Sequence, residues 1–314
     1  MNPIQRRLNV QSPLILDGAL ATELERQGCD LNDSLWSAKI LVEQPEIIKQ
    51  VHLDYFKAGA DCATTASYQT TIDGFAKKGF TEREAIELMK RSVELAKEAR
   101  DLFWNDKTNR VGRSKPFVAA SVGPYGAYLS DGSEYRGNYG LTEEELMDFH
   151  RPRIEALVEA GTDILACETI PSLIEAKALA RLLQNEFQGI YVWLTFSAKD
   201  EAHISEGDLI KDCVKVLQPY DQIAAVGVNC TPPQFISSLI TEMKKGTDKP
   251  LVIYPNSGET YDPEQKVWNG DPSGKTFGSC AHTWYQDGAT IIGGCCRTNP
   301  EDIKGIVQWA RQTT

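Results

Sequence analysis

"EAGTDILACET", residues 159–169, decides the fold of this 314-residue chain. A glycine stops an amphipathic stretch, two residues turn the chain, and a short apolar run begins. The same join recurs as "KAGADCATTAS" (57–67) and "QDGATIIGGCC" (286–296). Working outward from these joins, β-rich runs recur along the whole chain: "PLILDG" (13–18), "CATTAS" (62–67), "FVAASVG" (117–123), "DILACET" (163–169), "YVWLTF" (191–196), "IAAVGVNC" (223–230), "LVIYPN" (251–256) and "TIIGGCC" (290–296). Helical patterns lie between most of them. One opens at Pro45, and others at Thr81 and Thr142, each with a glutamate three residues on in capping-box spacing; another opens at Asn299 with a proline after it. Alternation of helices with buried strands implies a parallel sheet covered by helices. Eight strands in 314 residues predict an α/β fold of the closed (β/α)8 TIM-barrel type, usually ~250 residues plus insertions. No G-x-G-x-x-G follows the first run, which argues against a doubly wound open sheet. No Pro/Ser-rich linker interrupts the chain, so 1–314 reads as a single domain, with 1–12 as an N-terminal extension.

The net charge of −11, with no basic cluster, excludes nucleic acid as a natural partner. No apolar run approaches the ~20 residues of a membrane helix. The N-terminus has no apolar segment of the signal-peptide kind. A cytoplasmic location is the expectation. In such a compartment eight cysteines argue against a disulfide framework and leave metal binding or catalysis as their specialised uses.

In a barrel, function gathers where strands end and the loops after them begin. Those ends carry Asp17, Ser67, Ser121, Glu168, Ser197, Asn229 with Cys230, Asn256, and Cys295 with Cys296. Polar or ligand-grade groups thus converge on one mouth. Three thiols there suit a tetrahedral Zn²⁺ with one position open. Gly293 and Gly294 let the chain leave strand geometry, without which adjacent cysteines face opposite ways. A strained vicinal disulfide and two inert buried thiols are the competing readings. Cys29, Cys62, Cys167, Cys213 and Cys280 read as structural, with Cys167 facing the helices. The four histidines form no metal-spaced pair.

Asp17 and Glu168 are compatible with an acid–base pair or with two anions that hold an ammonium. Asp17 alone is also compatible with a helix cap. Gly18 and Ala19 offer backbone N–H groups at a helix start, suited to a carboxylate. The loop "SVGPYGAYLSDGSEYRGNYG" sets Tyr125, Tyr128, Tyr135 and Tyr139 beside Asp131 and Glu134. Aromatic faces with acids nearby suit a cationic ligand, although an ordinary covering loop has the same composition.

Together "LDGALATELERQGCDL", "TASYQ", "SVGPYGAYLSDGSEYRG", "DILACETIP", "GVNC", "YPNSGE" and "GGCCRT" resemble the zinc-dependent, cobalamin-independent homocysteine S-methyltransferase family, closest to the branch that uses S-methylmethionine. The resemblance runs from about Leu14 to the C-terminal helix. It implies one Zn²⁺ on Cys230, Cys295 and Cys296. It also implies Asp17 and Glu168 at the homocysteine amino group, the Gly18–Ala19 backbone near its carboxylate, and Asn229 beside the sulfur site. The implied reaction is methyl transfer from a sulfonium, S-methylmethionine or secondarily S-adenosylmethionine, to a zinc-activated homocysteine thiol, giving methionine without a general acid. Tyr125, Tyr128, Asp131 and Glu134 are then the donor-loop candidates. Arg297 stands where a smaller residue is also familiar, and so bears on branch or donor. A betaine-type donor is the alternative within the family; a non-enzymatic zinc or redox thiol protein is the alternative outside it.

Overall fold

A computed structural model describes residues 2–31, 37–258, 260–262, 267–269 and 276–311. The apolar runs form β1 (Leu14–Ile15), β2 (Cys62–Thr64), β3 (Phe117–Val122), β4 (Ile164–Ile170), β5 (Val192–Phe196), β6 (Ile223–Asn229), β7 (Leu251–Tyr254) and β8 (Ala289–Ile292). All pair in parallel, in the order β1-β8-β7-β6-β5-β4-β3-β2. A parallel bridge from Leu16 to Cys62 joins the two ends and closes the ring. The expected (β/α)8 barrel is therefore present, but several strands stop short of the sequence-based bounds at their C-terminal ends. A separate antiparallel ribbon, Thr260–Asp262 with Val267–Asn269, lies between β7 and β8 in the chain; much of the 257–274 loop is outside the described residues.

Local signals set the helix bounds. Capping boxes start Glu82–Asn105 at Thr81, Glu143–Glu159 at Thr142, and Pro300–Ala310 at Asn299. Helix Pro45–Ala58 ends at Gly59, whose φ of 112° is a left-handed cap, and a Cβ there would lie 2.5 Å from Val307. Side-chain alternation then divides the core into two layers. Inside the ring lie Leu14, Leu16, Cys62, Phe117, Ala119, Ile164, Ala166, Trp193, Val252, Tyr254 and Ile291. Between ring and helices lie Ile15, Val122, Leu165, Cys167, Ile253 and Ile292, so Cys167 faces the helices as its parity requires. Trp193 and Tyr254, joined by a 3.1 Å hydrogen bond, fill the space that Ala119 and Ala166 leave.

The N-terminal face is closed by helix Pro3–Leu8, which buries Ile4 in the interior layer. Arg7 of that helix donates to the Lys115 carbonyl ahead of β3 and lies over the Phe117 ring. Asp61 ties the first and last elements together here. Its carboxylate accepts from the Ile15 amide at 2.9 Å and from Arg311 at 2.6 Å, and Arg311 also reaches the Pro13 carbonyl. No helix among the described residues is long and apolar enough to cross a membrane.

Asp61→Ala should leave the Arg311 guanidinium and the Ile15 amide without their shared acceptor, a loss of about 3 kcal/mol. Urea unfolding should show the midpoint falling accordingly; an unchanged midpoint would mean the clasp contributes nothing.

Candidate active site

The thiols meet because the chain leaves β8 at Gly293. The Gly293 amide bonds to the Ile253 carbonyl of β7, and the Gly294 amide to the Asp17 carbonyl after β1, each at 3.0 Å. The segment is thus wedged between two strands. A Cβ on Gly293 would lie 2.6 Å from Leu16, and one on Gly294 2.2 Å from Thr298 Oγ1. Close approach, rather than a positive φ, is what these glycines provide. Thr298 Oγ1 donates to the Cys295 carbonyl at 2.6 Å and holds the turn. Arg297 then adopts a left-handed φ of 69°, with its amide on Thr22 Oγ1 at 3.1 Å. Across the mouth Cys230 follows β6 with a φ of 46°.

The result is three free thiols with Sγ separations of 2.7 Å (Cys230–Cys295), 3.6 Å (Cys230–Cys296) and 4.0 Å (Cys295–Cys296). A tetrahedron with Zn–S near ~2.3 Å has S···S edges of roughly 3.8 Å. Two of the three edges bracket that value and the third is compressed. The donor set is one for a thiophilic metal ion, and its spacing fits. Hydrogen bonds from Cys295 and Cys296, and then from the Tyr135 hydroxyl, hold the Cys230 thiol well below its usual range.

Two buried carboxyls share the mouth. Asp17 accepts from the Thr64 amide at 2.8 Å and from the Thr64 hydroxyl. Helix Leu20–Arg26 begins at Ala19 with no side-chain cap, so the capping role considered for Asp17 is not the one it plays. Glu168 accepts from the Ser121 hydroxyl and from the Tyr254 hydroxyl. Burial pushes each carboxyl up to about 7, against the pull of those hydrogen bonds. The Ala19 amide is engaged by Thr298 Oγ1 at 3.3 Å, while Gly18 packs so tightly that a Cβ would touch Thr298 and Tyr55. Asn229 spends its amide on structure. Its Oδ1 accepts from the Thr169 amide and the Thr195 hydroxyl, both at 2.7 Å, and its Nδ2 donates to Thr169 Oγ1 at 2.8 Å. That clasp holds the end of β4, where Thr169 has a φ of 60°, and sets Nδ2 4.0 Å from Cys295 Sγ.

The loop after β3 divides its candidates. Tyr125 and Tyr128 are packed behind it. Their ring centroids lie 4.9 and 5.7 Å from that of Phe149, and Lys77 Nζ sits 4.1 Å from the Tyr128 ring centroid. The cation-binding face of Tyr128 is thus occupied by the chain's own lysine. Asp131 accepts from the Ser133 amide and pairs with Arg136 at the surface, which makes it a turn-forming residue. Tyr135 instead reaches the thiols, and Glu134 lies close enough for the Cys230 charge to act on it. Tyr135 donates to Cys230 Sγ at 3.6 Å. Glu134 has a buried, unpartnered Oε2, and burial first, then the Cys230 charge, push its carboxyl up to about 7. Tyr68 is half-buried, feels the charges of Glu134, Cys230 and Glu168, and hydrogen-bonds to the Thr169 side chain.

Thr64, Tyr68, Tyr254 and Thr298 escaped the sequence reading, and Tyr135 stands in its tyrosine loop but not among its donor candidates. Parity offered a signal for two of them. Thr64 shares its face with interior Cys62, and Tyr254 with interior Val252. Tyr68, Tyr135 and Thr298 lie on turns, where parity has no meaning.

The family described as homocysteine S-methyltransferase matches residues 14–310. The homocysteine S-methyltransferase YbgG of Bacillus subtilis (strain 168) is 62% identical over 311 residues, covering 99% of this chain and 98% of its own. A selenocysteine methyltransferase of Astragalus bisulcatus is 49% identical over 307 residues, covering 93% and 90%. The crystal structure of the homocysteine methyltransferase MmuM from Escherichia coli, metallated form, superposes with a TM-score of 0.88 at 45% identity, covering 98% of this chain and 100% of that one. The chain belongs to the homocysteine S-methyltransferase family.

Proposed function

We propose that this chain is a single-domain, cytoplasmic enzyme that transfers a methyl group to the thiol of homocysteine. The donor is S-methylmethionine, with S-adenosylmethionine as a second donor. One Zn²⁺ is held by Cys230, Cys295 and Cys296. The observation that carries the reading is the meeting of three thiols, the two buried carboxyls of Asp17 and Glu168, and the half-buried Glu134 at one barrel mouth. Bound there, Zn²⁺ favours the deprotonated form of a substrate thiol and so raises its nucleophilicity at neutral pH.

Everything else falls to the chain's own residues. Asp17 and Glu168 receive the ammonium group of homocysteine; Thr64, Ser121 and Tyr254 fix the orientation of their oxygens. The Gly18 backbone is left nearest the carboxylate role, since Thr298 engages the Ala19 amide. Glu134, whose Oε2 has no partner, is the group assigned to the sulfonium, with Tyr135 and Tyr68 as its aromatic neighbours. The donor's S–CH₃ bond breaks with its electron pair kept by the donor sulfur, which leaves as a neutral thioether. The methyl forms its new bond to the homocysteine sulfur, and the thiol proton has gone to solvent. No general acid is needed, so the protein's work is alignment and charge.

Methyl-labelled S-methylmethionine and homocysteine should give labelled methionine with reduced, metal-loaded protein. The signal should vanish with a chelator and in Cys296→Ser. Absence of label in methionine at full metal loading would overturn the donor assignment.

Homocysteine's own thiol titrates, so the ammonium site is better tested with methionine, which has the same ammonium and carboxylate but no thiol. Asp17 and Glu168 have folded pKa values raised to about 7, so they are ionised above that pH and protonated below it. Methionine binding should therefore weaken as pH falls through about 7, and calorimetric affinities that stay flat between pH 6 and 8 would remove the carboxyls from this role.

Glu134→Gln should raise the KM for S-methylmethionine by about tenfold or more, while the homocysteine KM stays within about twofold. Equal effects on both substrates would return Glu134 to a packing role.

A further inference from the structure

Behind the loop after β3 lies a charged chain that the chemistry above does not use. His150 and Arg153 are on helix Glu143–Glu159 and Glu175 is on helix Leu173–Glu186; all three are fully buried. Arg153 Nε donates to His150 Nδ1 at 3.2 Å, and His150 Nε2 meets Glu175 Oε1 at 2.9 Å. Arginine has no acceptor, so Nδ1 is the accepting nitrogen. The proton of a neutral imidazole is then on Nε2 and points at the carboxylate. Burial, with Arg153 alongside, holds His150 well below its usual pKa and so in this neutral form. The chain has one direction: guanidinium to imidazole to carboxylate.

Both of its ends grip the start of the loop. Arg153 donates to the Gly123 carbonyl, and the Tyr125 amide donates to Glu175 Oε1 at 2.6 Å. The staple therefore clamps the peptide on either side of Pro124. From there the coupling to the mouth is short. Gly126 presses on the Ser133–Glu134 backbone so closely that a Cβ would lie 2.4 Å from the Glu134 amide nitrogen. The Glu134 carbonyl is caught by Ser197 Oγ at 3.0 Å, and Tyr135 ends on Cys230. Phe149 fills the space between, with its ring against Tyr125 and the Arg153 guanidinium over it.

We propose that His150, Arg153 and Glu175 are positioning residues whose directional hydrogen-bond chain clamps residues 123–125 and so holds Glu134 and Tyr135 at the methyl-donor side of the thiol cluster. The inference rests on the donor reading of that loop. The staple touches neither the thiols nor the Asp17–Glu168 pair, so its loss should be felt by one substrate only. A fully buried polar chain is seldom retained for stability alone, since an apolar replacement is often as stable; here its product is the place of a loop.

His150→Leu breaks the chain in the middle. His150→Gln can donate Nε2 to Glu175 and accept from Arg153 on Oε1, in the same directions. In His150→Leu, the KM for S-methylmethionine should rise by about tenfold or more, because a displacement of about 1 Å suffices for that. The homocysteine KM and the metal content should stay at wild-type values, and His150→Gln should recover most of the loss. Amide hydrogen exchange of residues 124–136 should quicken in His150→Leu relative to the barrel strands, whatever the donor proves to be. If His150→Leu does not fold, Glu175→Leu, which removes the acceptor shared by the Tyr125 amide and His150, carries the same expectations. Equal rises in both KM values, unaltered exchange of 124–136, or failure of glutamine to rescue would overturn the proposal. Wild-type protein that gives no labelled methionine, with the exchange change still seen in His150→Leu, would overturn the donor reading and leave the clamp standing.

Discussion

At three places on the rim the backbone passes through the left-handed region at a residue that carries a side chain, and the site depends on those turns. Thr169, Cys230 and Arg297 have φ values of 60°, 46° and 69°. Each such turn costs on the order of 1 kcal/mol or more. Strict alternation in β6, with Asn229 facing inward, would send Cys230 to the helix layer; its left-handed turn returns the thiol to the mouth. The turn at Arg297 follows the cysteine pair and closes the wedge that Gly293 and Gly294 open. Thr169 ends the inward face of β4 directly after Glu168, and the Asn229 amide takes both its N–H and its hydroxyl. The other two non-glycine residues with positive φ among the described residues, Ser130 and Asn138, lie in the loop after β3. Local strain of this kind is therefore concentrated at the mouth.

Much of this was legible in the sequence because it follows from short-range rules. Alternation and glycine joins define eight strands, and Thr-x-x-Glu spacing marks two helix starts. Closure of the ring then brings Cys230, Cys295 and Cys296 together from distant parts of the chain. What escaped depends on register or on loop conformation. Thr64 meets Asp17 only because β1 ends at Ile15 and the chain bends toward β2; continued alternation would have turned Asp17 outward. Composition shows that the loop after β3 holds four tyrosines but not which rings face in. The Asp131 carboxylate, by accepting from the Ser133 amide, helps set the 3-10 turn Ser133–Tyr135 that aims Tyr135 at the thiols and sets Glu134 near them. Tyr125, the first aromatic in the loop, is committed to Phe149 by the clamp on its own amide.

Mouth and clamp both bury carboxyls, and they differ in that the clamp buries a guanidinium alongside its acid. In the clamp burial pushes the Glu175 carboxyl up to about 8, and the Arg153 guanidinium at the other end of the neutral imidazole pulls against that shift. At the mouth Asp17, Glu168 and Glu134 are each raised to about 7 by burial foremost, and chiefly neutral hydroxyls and amides soften that cost. Two buried carboxyls, the half-buried Glu134 and three thiols, with no buried cation among them in the described residues, favour whatever brings positive charge. A metal dication, an ammonium group and a sulfonium are the three forms in which the proposed reaction brings it. Each arriving cation pulls the neighbouring acids toward ionisation, and each acid so ionised holds its cation more tightly. Binding at the mouth is thus coupled through protons as well as through contact.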